Sequence, residues 1–248
     1  MIKRSQRLAA LLEMPFTRAL IALLVILALG VLFNADGTFF RWDTHRDMLR
    51  HISRFGILAC GMTIVIIAGG IDLSVGSVLG LTAVVSAKLS IHMGLSAWVA
   101  VPLCCLLGIA CGALAGALIA RFSIQPFIAT LALMVFARGA AKFISGGKKI
   151  SQGVETPEGF QYLDFPQLYE FLNAKILGDN VAVVTLVFLL CVGVSWLLLA
   201  RLRPGRHLYA IGGNESAALL SGVPVGMAKV LAYAMSGLFA SLAGICQA

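Results

Sequence analysis

The feature that most constrains this chain is a succession of apolar runs, at residues 19–33, 55–68, 73–89, 97–120, 181–200 and 227–248, with one more ending near 144. A helix needs about 20 apolar residues to cross a hydrocarbon core. In lipid each backbone N–H and C=O must be satisfied internally, which a helix does. Composition agrees: 60% of residues are hydrophobic, 12% are charged and the mean hydropathy is +0.96, whereas a soluble domain is about 45–50% apolar and about 25% charged. The expected fold is all-α, a polytopic helical membrane protein of about seven crossings. Its net charge of +8 does not indicate nucleic acid, because Lys and Arg lie mostly between the spans, where they meet anionic headgroups of the membrane lipid.

One polar stretch lies between the second and third runs. Gly69-Gly70-Ile71-Asp72-Leu73-Ser74-Val75-Gly76-Ser77 joins two segments too long for one crossing and too close for a large loop. An Asp at the centre of a membrane helix costs about 2.5–3.5 kcal/mol, and a carboxylate kept at such depth is a functional candidate. Gly69 and Gly70 permit positive φ and close backbone approach. Asp72 can accept from the N–H of Ser74 or Val75, as an N-cap does. The pattern predicts a helix that breaks at Gly69-Gly70 and restarts at Asp72. Broken backbone in a membrane is tolerated where protein or a water-filled cavity covers it. The residues alone leave two readings open: a wall of a solute path, or a cap after a tight cytoplasmic turn.

The same residues resemble the signature of the permease subunits of ribose-type bacterial sugar ABC importers, in which a similar segment follows a run like Gly61-Met62-Thr63-Ile64-Val65-Ile66. A second similar stretch runs from Ser123 through Gln125 and Pro126 to Leu131, with Arg138-Gly139 beyond. The resemblance covers nearly all of this chain. Members of the family continue for several more spans, including a second glycine-rich region, so the chain is expected to be incomplete at its C-terminus. As a path wall the resemblance implies Gly69, Gly70, Asp72, Ser74, Gly76, Ser77, Gln125 and Thr130, with Asp72 holding the break in shape rather than binding sugar.

The remainder of the chain reads in order. Residues 1–18 are basic, with Lys3, Arg4, Arg7 and Arg18, and precede an uncleaved first helix entered from the cytoplasm. Residues 34–54 are polar, and Met48, Leu49, Ile52 and Phe55 recur at helical spacing, which suggests an amphipathic helix at the outer interface or an ordinary loop. Lys88 can snorkel to the interface. Gly108, Gly112 and Gly116 put a flat strip on one helix face, as close helix packing requires. Pro126 suits a first helical turn, and Gln125 either caps that helix or points into the membrane. Arg138, within an apolar run, needs a partner or a snorkelling route. Residues 145–180 are expected to form an extracytoplasmic loop, amphipathic through Tyr162, Phe165, Leu168, Tyr169, Phe171 and Leu172. The span ending at Ala200 is followed by Arg201, Arg203 and Arg206, and the resemblance, more than charge, implies that residues 201–226 face the cytoplasm. The positive-inside bias is weak, because Arg41, Arg46, Arg50, Arg54, Lys148 and Lys149 fall outside in this assignment.

Within 201–226, Asn214 is a good N-cap and Glu215 suits a positive helix end. Gly222 is a fitting C-cap with Pro224 beyond. The predicted helix is too short to be stable alone and needs something to dock on. Here the resemblance implies the coupling helix that an ABC permease presents to its ATPase, formed by Gly212, Gly213, Asn214, Glu215, Ala217, Ala218, Leu219, Ser221 and Gly222. It also implies an extracytoplasmic solute-binding protein, a second permease subunit, alike or homologous, and a place in the bacterial inner membrane. The chain has no G-x-x-x-x-G-K-[ST] loop to hold phosphates, so ATP hydrolysis is expected in the partner and the chain is not expected to be an enzyme.

No cofactor or metal is expected. Cys60, Cys104, Cys105, Cys111, Cys191 and Cys246 lack ligand spacing, and buried thiols act as small hydrophobes. His45, His51, His92 and His207 are scattered. Rival readings are an ion-gradient-driven transporter with Asp72 as the ion site, a membrane scaffold, and a permease of the branched-chain amino acid type, which shares the architecture.

Overall fold

The computed structural model describes residues 15–156, 159–164 and 166–248. The basic residues Lys3, Arg4 and Arg7 and the loop residue Phe165 lie outside the described residues. The chain forms two compact units, Met1–Leu49 and Arg50–Ala248.

In the first unit, α1 (Pro15–Leu32) is followed by a 3₁₀ turn (Ala35–Phe40) and the start of α2 (Trp42–Ile67). Asn34 closes the turn by accepting from the Phe39 N–H at 3.0 Å, and Thr44 Oγ1 donates to the Thr38 carbonyl at 2.8 Å. The Phe39 ring occupies the space where a Cβ at Gly30 would sit. The amphipathic segment expected at 34–54 is, from Trp42 onward, the opening of a 26-residue helix. Its period runs without a proline into the apolar turns that follow, so nothing ends the helix at Arg54.

The second unit continues α2 to Ile67. It then contains α3 (Val75–Ala87) with a π-turn at Lys88–His92, α4 (Ala97–Phe122) and α5 (Pro126–Ser145). Next come strands β1 (Gly153–Thr156) and β2 (Gly159–Tyr162), helix α6 (Gln167–Asn173), and strands β3 (Lys175–Ile176) and β4 (Val181–Ala182). Helices α7 (Val183–Arg201), α8 (Arg203–Gly213), α9 (Glu215–Leu220) and α10 (Val225–Ile245) complete it. Among the described residues, six helices are long and apolar enough to cross a membrane, and Phe16–Leu32 is a shorter apolar helix. The bundle is helical as expected. The segment between α5 and α7 adds two small antiparallel hairpins, β1–β2 and β3–β4.

Helix α10 is the centre of this unit. It is 61% buried over its apolar window, against 22–39% for the other five long helices. Its small residues explain the difference. A Cβ at Gly108 or Gly112 of α4 would run into the carbonyl oxygens of Gly237 and Tyr233, and one at Gly116 would come within 2.8 Å of the Val230 Cα. On α10 itself, a Cβ at Gly244 would fall on Thr82 and the Leu79 carbonyl of α3. Backbones thus meet with no side chain between them, which is how membrane helices gain van der Waals contact when lipid supplies no hydrophobic drive. Larger side chains fill the other flank, where Ile57 and Ile64 of α2, Leu208 of α8 and Phe239 of α10 share one cluster.

The charges expected at the ends of the spans have local partners. Lys88 Nζ donates to the Ile144 carbonyl at 3.0 Å, capping the end of α5. Arg50 hydrogen-bonds Asn173, and Arg54 donates to Gln247 at 2.7 Å. Arg138 is exposed on α5, where its stem can run along the helix surface to the interface. Helix α6 dips into the bundle: Tyr169 is buried and its hydroxyl meets Ser86 of α3 at 2.8 Å.

Candidate functional site

The break between α2 and α3 extends from Ala68 to Ser74. Gly69 takes a left-handed φ of +74°, which ends α2, while Gly70 does not. Gly70 is needed for a different reason: a Cβ there would lie 2.5 Å from the Tyr233 hydroxyl. The helix restarts at Val75 rather than at Asp72, because Asp72 spends its carboxylate on the turn. Its Oδ1 accepts from the Ser74 N–H at 2.9 Å and from Ser74 Oγ at 2.6 Å. Its Oδ2 accepts from Ser236 Oγ of α10 at 2.7 Å. Asp72 is 2% exposed, so each lone pair not used here faces protein rather than water.

The carbonyl of Ile71, orphaned by the break, is approached by the Tyr233 hydroxyl at 3.3 Å and by Thr130 Oγ1 at 3.4 Å. Thr130 also donates to Pro126 of its own helix at 2.9 Å. The structure therefore brings Gly69, Gly70, Asp72, Ser74 and Thr130 together, and adds Tyr233 and Ser236. Gly76 faces open space and Ser77 is buried one turn into α3. Gln125 stands apart: it occupies the N-cap position of α5 without making a side-chain cap bond and is exposed. It lines a cavity of about 460 Å³ with Ser123, Leu219, Glu215 and Lys229. A smaller cavity of about 150 Å³ joins Gly69, Gly70 and Tyr233 to the same Glu215 and Lys229.

Residues 201–226 fold as two helices where the sequence pattern predicts one. Pro204 in the first turn starts α8, and Leu208 and Ile211 bury its apolar face. Those signals, a proline at the helix start and apolar residues at helical spacing, were present in the sequence. Asn214 ends α8 and caps α9, accepting from the Ala217 N–H at 2.9 Å. Gly222, at φ +80°, closes α9, and the Val223 N–H returns to the Ala218 carbonyl at 3.0 Å. Ala218 is buried and seats the helix, whereas Leu219 and Leu220 point outward, Leu220 at 89% exposure. The last turn of α8 abuts the break: Gly212 lies against the Ile67 carbonyl, and its Cα is the nearest atom to the space beside Gly69. Glu215 Oε1 and Lys229 Nζ form an ion pair at 2.7 Å.

The profile of the family described as "Branched-chain amino acid transport system / permease component" matches residues 46–248. The chain is 38% identical over 233 residues to the ribose import permease protein RbsC of Escherichia coli strain K12, covering 93% of this chain and 68% of that protein. It is 36% identical to the fructose import permease protein FruG of Bifidobacterium longum, covering 93% and 66%. The autoinducer 2 import system permease protein LsrD of Yersinia pseudotuberculosis is 34% identical, covering 77% and 55%. No solved structure matches the chain.

Proposed function

This chain belongs to the permease family of bacterial sugar ABC importers, and from that premise we propose how its parts share the work. It is a multi-pass permease subunit of the inner membrane. The wall of the sugar path is formed by Gly69, Gly70, Asp72, Ser74, Gly76, Ser77 and Thr130, with Gln125 on its cytoplasmic side. Asp72 maintains the break and leaves the sugar to weaker polar contacts. The Asn214–Gly222 segment is the docking element for a separate ABC ATPase, which hydrolyses the ATP. The outer segment, 145–180, receives a solute-binding protein, and a second permease subunit completes the path. The cargo is a monosaccharide, in keeping with the ribose and fructose permeases among its relatives. No bond of the sugar is made or broken.

The observation that carries this reading is the meeting of α8 with the break at Gly212 and Ile67. The unwound backbone lies between α2 and α3 with its π-turn, each long enough to cross alone, and it touches the α8–α9 pair directly; broken helices are where transporters change shape. The test is recovery of the chain from detergent-solubilised membranes, with identification of the co-purifying proteins. An ABC ATPase is expected, and it is expected to be lost when Leu219 and Leu220 are both replaced by Asp. A well-folded preparation that carries no ATPase and moves sugar only down an ion gradient would refute the proposal.

A further inference from the structure

The ion pair between α9 and α10 joins two regions that the function must connect. Three polar side chains of α10, Lys229, Tyr233 and Ser236, stand at i, i+4 and i+7, so they share one face of the helix. Each holds a different part of the chain. Lys229 pairs with Glu215, the first residue of α9, at 2.7 Å. One turn on, Tyr233 covers Gly70 and reaches the Ile71 carbonyl. At the next turn Ser236 holds Asp72. The cytoplasmic helix and the break are therefore bound to successive turns of a single helix.

The rest of α10 is well placed to act as a rigid rod. The adjoining flank of α10 meets α4 backbone to backbone at Gly108, Gly112 and Gly237, and cores packed this way do not deform continuously. Between the ion pair and Gly69-Gly70 lies the cavity of about 150 Å³, which opens beside the one of about 460 Å³ that reaches Leu219. Space at this point leaves α9 room to shift toward or away from the break without colliding with it. The pair itself is half-exposed, with Glu215 at 53% and Lys229 at 17% side-chain exposure. Exposed pairs of this kind contribute little to folding, so stability gives no reason to have one at this place.

We propose that the Glu215–Lys229 pair is a positioning element for transport: it passes displacement of α9 to the Gly69–Ser74 break along the Lys229, Tyr233 and Ser236 face of α10. The inference rests on the reading of α9 as the ATPase-docking helix. It adds the route by which docking reaches the path, and it makes Lys229 a coupling residue although it touches neither sugar nor ATPase.

The test is a charge-reversal cycle on the complete importer, with ATP hydrolysis and sugar uptake measured on the same proteoliposomes. The single variants Glu215→Lys and Lys229→Glu are each expected to lower sugar imported per ATP about tenfold, and Lys229→Glu, which lies outside the docking segment, is expected to keep the ATPase bound and hydrolysing ATP. The double variant and Lys229→Arg should each restore most of that ratio. Such rescue measures the interaction itself, and a merely structural role would not separate uptake from hydrolysis. Lys229→Met, which keeps the stem and drops the charge, covers the case in which a reversal prevents assembly, and it should uncouple in the same way. Unchanged uptake per ATP in Lys229→Met or either single reversal would overturn the proposal, as would a double reversal no better than its singles. Loss of the ATPase from Lys229→Met would also overturn it, because Lys229 would then hold the docking segment in place rather than pass on its displacement. Failure of the unaltered chain to recover an ATPase would instead refute the importer reading, and this inference with it.

Discussion

Replacing Asp72 tests whether its carboxylate builds the break or serves as an ion site. In Asp72→Ala three donors lose their acceptor at once: the Ser74 N–H, the Ser74 hydroxyl and the Ser236 hydroxyl. Leaving a buried polar group unsatisfied costs about 1–3 kcal/mol. The two hydroxyls can rotate toward neighbouring carbonyls, so the sum falls near the low end, at about 2–4 kcal/mol. Asp72→Asn keeps the shape and one acceptor oxygen. Its amide can donate to Ser236 Oγ, which is able to accept, so the loss is confined to charge assistance at about 1 kcal/mol. For a domain of this size each kcal/mol moves the unfolding midpoint by about 2–4 °C. Thermal unfolding in detergent should therefore show a drop of roughly 5–15 °C for Ala and roughly 2–4 °C for Asn, with uptake ranked in the same order. Equal midpoints for the two variants would refute the hydrogen-bond account. An Asn variant with an almost native midpoint and no uptake would show that the negative charge itself is used, as the ion-gradient reading requires.

The other predictions concern packing, titration and capping. Gly112→Ala places a methyl against the Tyr233 carbonyl and should cost about 1–3 kcal/mol of stability, whereas Gly80→Ala in α3, with open space beside it, should gain about 0.5–1 kcal/mol; thermal unfolding of the pair checks both. Burial holds the Tyr169 phenol above its ordinary value of about 10, so the unfolded chain loses that proton first; its contribution is whole below about pH 10 and falls as the pH rises above it toward the folded value. Tyr169→Phe should remove that alkaline slope and cost about 1 kcal/mol at neutral pH through the lost bond to Ser86, read from unfolding midpoints across pH. Asn214→Ala removes the cap of α9 at a cost of about 1 kcal/mol, and should speed amide exchange at 217 while reducing ATPase recovery.

How much was legible in the sequence follows from the distance over which each residue acts. The spans, the break and the glycine strip on α4 are local patterns and the structure contains each, although the second span opens at Trp42 rather than Phe55 and the chain restarts its helix at Val75 rather than Asp72. The cap at Asn214 and the stop at Gly222 are likewise set by their immediate neighbours. Asp72 was legible in part: its bond to Ser74 is two residues away, whereas its bond to Ser236 crosses 164 positions. Nothing in the run around Ser236 marks it as more than a small residue in an apolar helix. Helix α8 is signalled by Pro204, Leu208 and Ile211 but starts on Leu202, which has no capping side chain, so its start is less distinct than the Asn214 cap that follows. Gln125 and the break both lie in stretches that resemble the family, but the chain sets Gln125 on the wall of a different cavity.

The depth of Asp72 explains why the break needs α10. A carboxylate that served only as a local cap would still have one oxygen without a partner, in surroundings where water cannot reach it. Ser236 satisfies that oxygen, and in doing so it ties the one unwound segment to the most buried helix of the unit. The same tie limits how the break can move: α3 cannot swing away from α10 without first breaking a charge-assisted bond. Its hinge is then Gly69, where the left-handed φ already departs from the helix and the neighbouring atom is a backbone Cα at 3.9 Å. A β-carbon at Gly69 costs about 1–2 kcal/mol from backbone strain alone. If the hinge works during transport, Gly69→Ala should slow sugar uptake by more than it lowers the unfolding midpoint; a loss of uptake no larger than the loss of stability would place the hinge elsewhere.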